Sequence, residues 1–155
     1  MASSIIILKP VSGYLPEKAM KSFKKAVINS GMLFNKVELE YNSNKVIVGA
    51  EGSIGFIDSD SRLQQFIFTI SNTDEYSESS FDWLVPTKGL FWAIDIEDIG
   101  IHHRQIFNFA VSYFAENPND YLWLDSVKWV YSAEEIKMLS QLPYCPKWLY
   151  EKIQL

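Results

Sequence analysis

Residues 36–50 constrain the fold more than any other stretch of the chain. Lys36 to Tyr41 reads KVELEY, a clean alternation of polar and apolar residues with period two. Asn42-Ser43-Asn44 follows as a turn, and Lys45 to Ala50 returns as the second strand of a hairpin. A slip of one residue would turn every apolar side chain to the wrong face, so the alternation specifies both strand and register. An isolated hairpin is only marginally stable in water, so this one requires further strands. Candidates follow directly: Ser53 to Ile57, then Leu63 to Ser71, where Phe66, Phe68 and Ile70 alternate with Ile67 and Thr69. Gly89 to Ile94 (GLFWAI) is apolar on both faces, which suits the middle of a sheet. Ser4 to Leu8 is a short β-branched run of the buried type, and Tyr121 to Leu124 and Val127 to Tyr131 are two more short candidates.

Helical spacing interrupts the strands in three or four places. Pro16 suits a first helical turn, and Ala19, Met20, Phe23, Ala26 and Val27 recur on one face up to a left-handed cap at Gly31. Residues 99–116 carry the widest apolar stripe, with Ile106, Phe109, Ala110, Tyr113 and Phe114 at its centre. Asp98 is placed to cap that helix, and Asn117-Pro118 stops it. Ser132 to Glu135 matches a capping box, predicting a helix to about Gln141, and Lys147 to Ile153 suggests a last turn or two. Strands adjacent in sequence favour antiparallel pairing with short loops. The expectation is an α+β fold, an antiparallel or mixed sheet of about five to six strands packed by three or four helices. A chain of 155 residues suits a single domain, 1–155.

The single cysteine, Cys145, forbids an internal disulfide and favours a reducing compartment. The opening MASSIIILKP lacks the basic and apolar regions of a signal peptide, and no run approaches the length of a membrane span. A cytoplasmic protein with no membrane partner is expected. The net charge of −5 is unevenly spread. Residues 1–45 hold seven lysines against three acidic groups, whereas residues 46–101 hold ten acidic groups against Arg62 and Lys88. Such a distribution bears on partners rather than on fold. Lys18, Lys21, Lys24 and Lys25 make the one basic helix face, which in an acidic chain reads as a solvated surface, not a nucleic-acid footprint.

No motif for catalysis or for a cofactor emerges. Ser53 in EGSIGF is out of register for a nucleophile elbow, because Glu51 stands where glycine is required. Gly49, Gly52 and Gly55 do not form a dinucleotide fingerprint, and Gly52 and Gly55 are assigned to a turn and a bulge. Cys145, between Tyr144 and Pro146, lacks the polar setting of a reactive thiol. Asp95, Glu97, Asp98, His102 and His103 could supply oxygen and nitrogen donors to a divalent ion, giving a metal-assisted hydrolase built on Asp95, Glu97 and His102 as the alternative function. Adjacent histidines on a helix point about 100° apart, so His102 and His103 cannot share one ion. The simpler reading is an acidic helix start. No metal or catalytic site is therefore assigned.

An aromatic beside carboxylates is a different signal. Asp74, Glu75, Glu78 and Asp82 precede Trp83 in a segment without a basic residue, and Asp95, Glu97 and Asp98 add a second acidic stretch. A ring supplies buried contact area while carboxylates steer a cationic partner. These eight residues are the candidate partner-binding set. The profile resembles that of bacterial immunity proteins, which neutralise the toxins of contact-dependent inhibition or polymorphic toxin systems. The acidic segments Asp74–Asp82 and Asp95–Asp98 carry the resemblance. It implies a small acidic inhibitor that occludes the active cleft of a cognate toxin, often a basic nuclease. A peptide-binding adaptor domain is a further alternative.

Overall fold

A computed structural model describes residues 3–72 and 89–155. The chain runs β1 (Ile5–Pro10), α1 (Pro16–Asn29), β2 (Leu33–Tyr41), β3 (Ile47–Ile57), β4 (Leu63–Ile70), β5 (Leu90–Glu97), α2 (His103–Glu116), β6 (Tyr121–Leu124), β7 (Val130–Ser132) and α3 (Ala133–Ser140). The seven strands of the described residues form one sheet in the order β2-β3-β4-β5-β1-β6-β7. Every neighbouring pair is antiparallel. The fold is thus α+β, and the sheet is antiparallel rather than mixed.

Strand β1 lies between β5 and β6, and its Ile5, Ile6, Ile7 and Leu8 are all but fully buried. It is apolar on both faces because both faces are covered. Ile5 and Ile7 join the main core with Phe66, Phe68, Ile94 and Ile96 from the sheet and Phe23, Phe109 and Ile106 from the helices. Ile6 and Leu8 join a smaller cluster on the opposite face with Leu90, Trp123 and Val130, where Trp92 meets Trp123 edge to face. All three helices contribute to the main core, so they pack on one side of the sheet. Two of them are crossovers. Helix α1 leads from β1 to the distant edge strand β2, and α2 bridges β5 to β6 over β1.

The helix boundaries follow local chemistry. Pro16 opens α1, and Gly31 turns the chain out of it at φ +85°, with the Met32 N–H bonded back to the Val27 carbonyl. Ser132 and Glu135 form the reciprocal capping box of α3. One buried ion pair anchors the far end of β1. Lys9 Nζ lies 2.7 Å from Asp120 Oδ2, which also accepts from the Tyr113 hydroxyl at 2.7 Å. Burial, and then the Asp120 charge, raise the Tyr113 hydroxyl pKa well above the ordinary tyrosine value.

Three expectations need correction. Gly52 and Gly55 form neither a turn nor a bulge, and the two strands expected at Lys45–Ala50 and Ser53–Ile57 are one continuous β3 of 11 residues. Glycine is required at 52 because of close approach, since a Cβ there would fall 2.0 Å from the Lys36 carbonyl oxygen. Asp98 does not cap α2. It adopts φ +62°, and the helix begins at His103 behind a His102 cap that makes no side-chain bond. Lys147–Ile153 forms turns rather than a helix, held by Tyr150 and Glu151 N–H bonds to the Lys147 carbonyl. The seven strands of the described residues lie close to the five to six expected, with both short runs after α2 paired into the sheet.

Gly52→Ala is expected to destabilise the fold by about 2–3 kcal/mol, since neighbouring backbone must move. Ser132→Ala should cost only about 1 kcal/mol as a lost cap. Urea midpoints at constant m-value test the ranking, and a Gly52→Ala variant as stable as the parent would contradict the close approach.

Candidate functional site

The face of the sheet without helices divides into two halves. Over β5, β1, β6 and β7 it is the tryptophan-rich apolar cluster, where the Trp123 indole donates to the Val127 carbonyl at 2.7 Å. Over β2, β3 and β4 it is left open by the described residues. Strand alternation decides what is displayed there, because Phe34, Ile54, Phe66 and Phe68 turn to the helices and their neighbours turn away.

Register places the outward residues in rows across the strands. One row runs Glu38, Glu51, Thr69, Asp95 and on to Ile6 and Trp123. The next runs Lys36, Ser53, Ile67 and Glu97. Beyond it, Leu33 stands opposite Gly55, and Ile57 opposite Leu63. The result is an apolar patch bordered by carboxylates. Leu33, Ile57, Leu63 and Ile67 are 67%, 61%, 47% and 47% exposed, values far from those of core residues. Glu38 and Glu51 are direct cross-strand neighbours, an arrangement of like charges that costs stability.

Asp95 shows how strongly these charges crowd. Its Oδ1 is buried without a hydrogen bond. Burial first, then the charges of Glu97 and Asp125, push its carboxyl from 3.8 up to about 6, and the neighbouring Trp92 indole offsets only part of this. A cation brought to this face would relieve both the repulsion and the desolvation of Asp95.

Asp95 and Glu97 of the predicted set therefore share one face. Asp98 does not join them; it is exposed at the turn before α2. Asp74, Glu75, Glu78, Asp82 and Trp83 lie outside the described residues. Glu38 and Glu51 escape sequence reasoning because their strands sit in different charge segments of the chain. A signal is present in the alternation of KVELEY, which turns Glu38 and Glu40 to the polar face, but the partner Glu51 needs the strand register. The apolar members, Leu33, Ile57, Leu63 and Ile67, look like core residues in a linear pattern.

The proposed metal cluster does not assemble. His102 packs edge-on against Phe56 and Phe66, with Nε2 3.2 Å from Gln64 Oε1, on the helix side of the sheet. Asp95 and Glu97 point away from the helices, to the opposite face. Among the described residues no three His, Cys, Asp or Glu side chains gather where they could hold a metal ion, and no helix is long and apolar enough to cross a membrane. No protein-family profile, curated protein or solved structure matches the chain.

The raised Asp95 pKa sets a sign for stability. Below 3.8 the group is neutral in the folded and unfolded chain and contributes nothing. As pH rises toward about 6, the unfolded carboxyl ionises before the folded one, so stability falls and the loss persists at higher pH. Asp95→Asn is expected to melt at a higher temperature than the parent at neutral pH, with the difference closing at acidic pH. Equal melting curves at both pH values would show Asp95 to be unstrained.

Proposed function

We propose that the protein is a small acidic binding protein of immunity type, which neutralises a cognate basic toxin by covering its active cleft with the open half of the sheet. One observation carries this reading: the exposed patch Leu33, Ile57, Leu63 and Ile67 is bordered by Glu38, Glu51, Asp95 and Glu97. Within strands β2, β3, β4 and β5 the only basic residue is Lys36. Exposed apolar patches with polar rims are the usual form of a protein-binding surface. Desolvated apolar groups supply affinity there, and the carboxylates supply steering and selection for a cationic surface.

The acidic face also fits the kinetics an inhibitor needs. Opposed charge raises association rates by about ten- to a thousandfold at low ionic strength. A basic nuclease presents lysines and arginines around its cleft, and these would pair with carboxylates that repel one another in the free protein. The like charges facing each other at Glu38–Glu51 and the ionisation cost at Asp95 are then compensated on binding. Metal-assisted hydrolysis has no comparable support, because its residues stand on opposite sides of the sheet.

The experiment is affinity capture from the native host with two baits. One is the parent protein; the other carries Glu38→Gln, Glu51→Gln, Asp95→Asn and Glu97→Gln and folds with unchanged circular dichroism. The expected result is a basic toxin domain held by the parent, released by salt, and held at least about tenfold more weakly by the neutralised variant. A partner bound equally by both baits, or an acidic partner, would refute the assignment of the face.

A further inference from the structure

The two ends of the sheet are unlike. Strand β7 is three residues long, too short to template another strand. Strand β2 is nine residues long and carries the other edge, where among the described residues it is hydrogen-bonded on one side, to β3. Natural proteins blunt such edges because a row of unpaired N–H and C=O groups invites pairing with another chain. Here three charged side chains and two irregularities disfavour indiscriminate pairing, yet the central stretch is left regular. Between its two irregularities, Lys36 to Glu40 runs in unbroken register with β3 and contains neither proline nor glycine.

We infer that β2 pairs antiparallel with β2 of a second copy of this chain, joining two sheets into one about a two-fold axis. The sequence of the edge is what selects this occupant. In an antiparallel two-fold pairing, residue i faces residue j with i + j constant, so the strand must be complementary to itself. Centred on Val37, the pairing sets Lys36 opposite Glu38 of the second copy, twice. Centred on Glu38, it sets Lys36 opposite Glu40 of the second copy, again twice. In both registers every Lys36 meets a glutamate, but the pairing centred on Glu38 also sets the two Glu38 side chains opposite each other on the axis, so the charges favour the pairing centred on Val37. Centred on Leu39 instead, glutamates 38 and 40 would oppose one another, so the charges also discriminate among registers.

The other face of the strand adds apolar contact. Val37 and Leu39 are 41% and 37% exposed although they point to the helix side. They line a groove of about 450 Å³ between β2 and α1, together with Met20, Phe34 and Ile47. Helix α1 does not reach far enough to cover them. In the pairing centred on Val37, the two Val37 side chains face each other on the axis, extending the apolar strip across it. In the free chain Lys36 makes only an exposed contact with Glu38 of its own strand, 3.0 Å long, which it can exchange for the partner without leaving a buried charge unpaired.

The inference rests on the edge of the sheet and shares one residue, Glu38, with the face assigned to the toxin. A two-fold axis normal to the sheet leaves both open faces on the same side, and Lys36, which lies outside the carboxylate set of that face, separates the two roles in the test. Two variants test it by charge complementation. Lys36→Glu makes the edge wholly acidic, and the double variant Glu38→Lys with Glu40→Lys makes it wholly basic. Sedimentation equilibrium should show the parent as a reversible dimer, each variant alone dissociating at least about tenfold more readily, and their equimolar mixture restored to dimer. Circular dichroism of each variant establishes that it is folded. A parent that remains monomeric up to roughly 1 mM, where even a millimolar Kd registers, would overturn the inference. So would a dimer indifferent to all three substitutions.

Discussion

The burial of β1 on both faces is the constraint on which the rest of the structure depends. Ile5 to Leu8 can be excluded from water only if something covers each side of the strand and something pairs with each edge. Strands β5 and β6 supply the edges. The helices supply one roof, and the tryptophan cluster lies on the other side. Two consequences follow. The chain must leave β1 by a long crossover, since both neighbouring positions are taken by later strands, and α1 is that crossover. The coverage of the second face also ends where the cluster ends, near β5, and the sheet beyond it is left open. The boundary between buried apolar face and open acidic face therefore passes through β5 itself, whose Trp92 belongs to one side and whose Asp95 and Glu97 belong to the other.

That boundary accounts for the behaviour of the carboxylates. A carboxylate well away from low-dielectric material has no reason to hold its proton. Asp95 lies opposite Ile6 in the ladder, next to the dry half of the face, while Glu97 on its own strand and Asp125 beyond β1 add negative charge around it. The protein maintains this arrangement although it costs stability, as it does the facing pair Glu38 and Glu51. Structural ion pairs elsewhere are built differently: Asp120 is more deeply buried than Asp95 yet is matched by Lys9 and a tyrosine hydroxyl. The contrast between a satisfied acid and one with an unsatisfied oxygen in the same sheet locates the open face as the place where polar optimisation was not completed internally.

Much of this was legible in the sequence, and the omissions have physical causes. Alternation identified the β2–β3 hairpin, and helical periodicity identified α1 and α2, because burial on one face writes a period into the chain. The capping box of α3 was read from four residues, since both of its bonds are local. Local rules misjudged Gly52, whose meaning lies in a carbonyl on the neighbouring strand, and Asp98, where a plausible capping residue is used instead to reverse the chain at positive φ. For the site, sequence supplied Asp95 and Glu97 but not their companions. Glu38, Glu51 and Ile67 come together only through pairings across three strands, and pairing is the one property that a linear pattern does not contain. The apolar patch was hidden for a related reason: Leu33, Ile57 and Leu63 pass for interior residues until the helices are known to lie on the other face.

The position of β1 also bears on how the molecule reaches this state. Ile5 pairs with Ile96, and Ile6 with Trp123, so the middle of the sheet is closed by segments very distant along the chain. The meander β2–β3–β4, by contrast, is linked by short turns and can assemble from neighbours. Loop-closure entropy must be overcome before the distant contacts return any stabilisation, which slows folding as such separations grow. During synthesis the first strand is made long before either of its partners exists. Its four consecutive buried aliphatics must remain unpaired meanwhile, and the interval ends only after Leu124 has emerged.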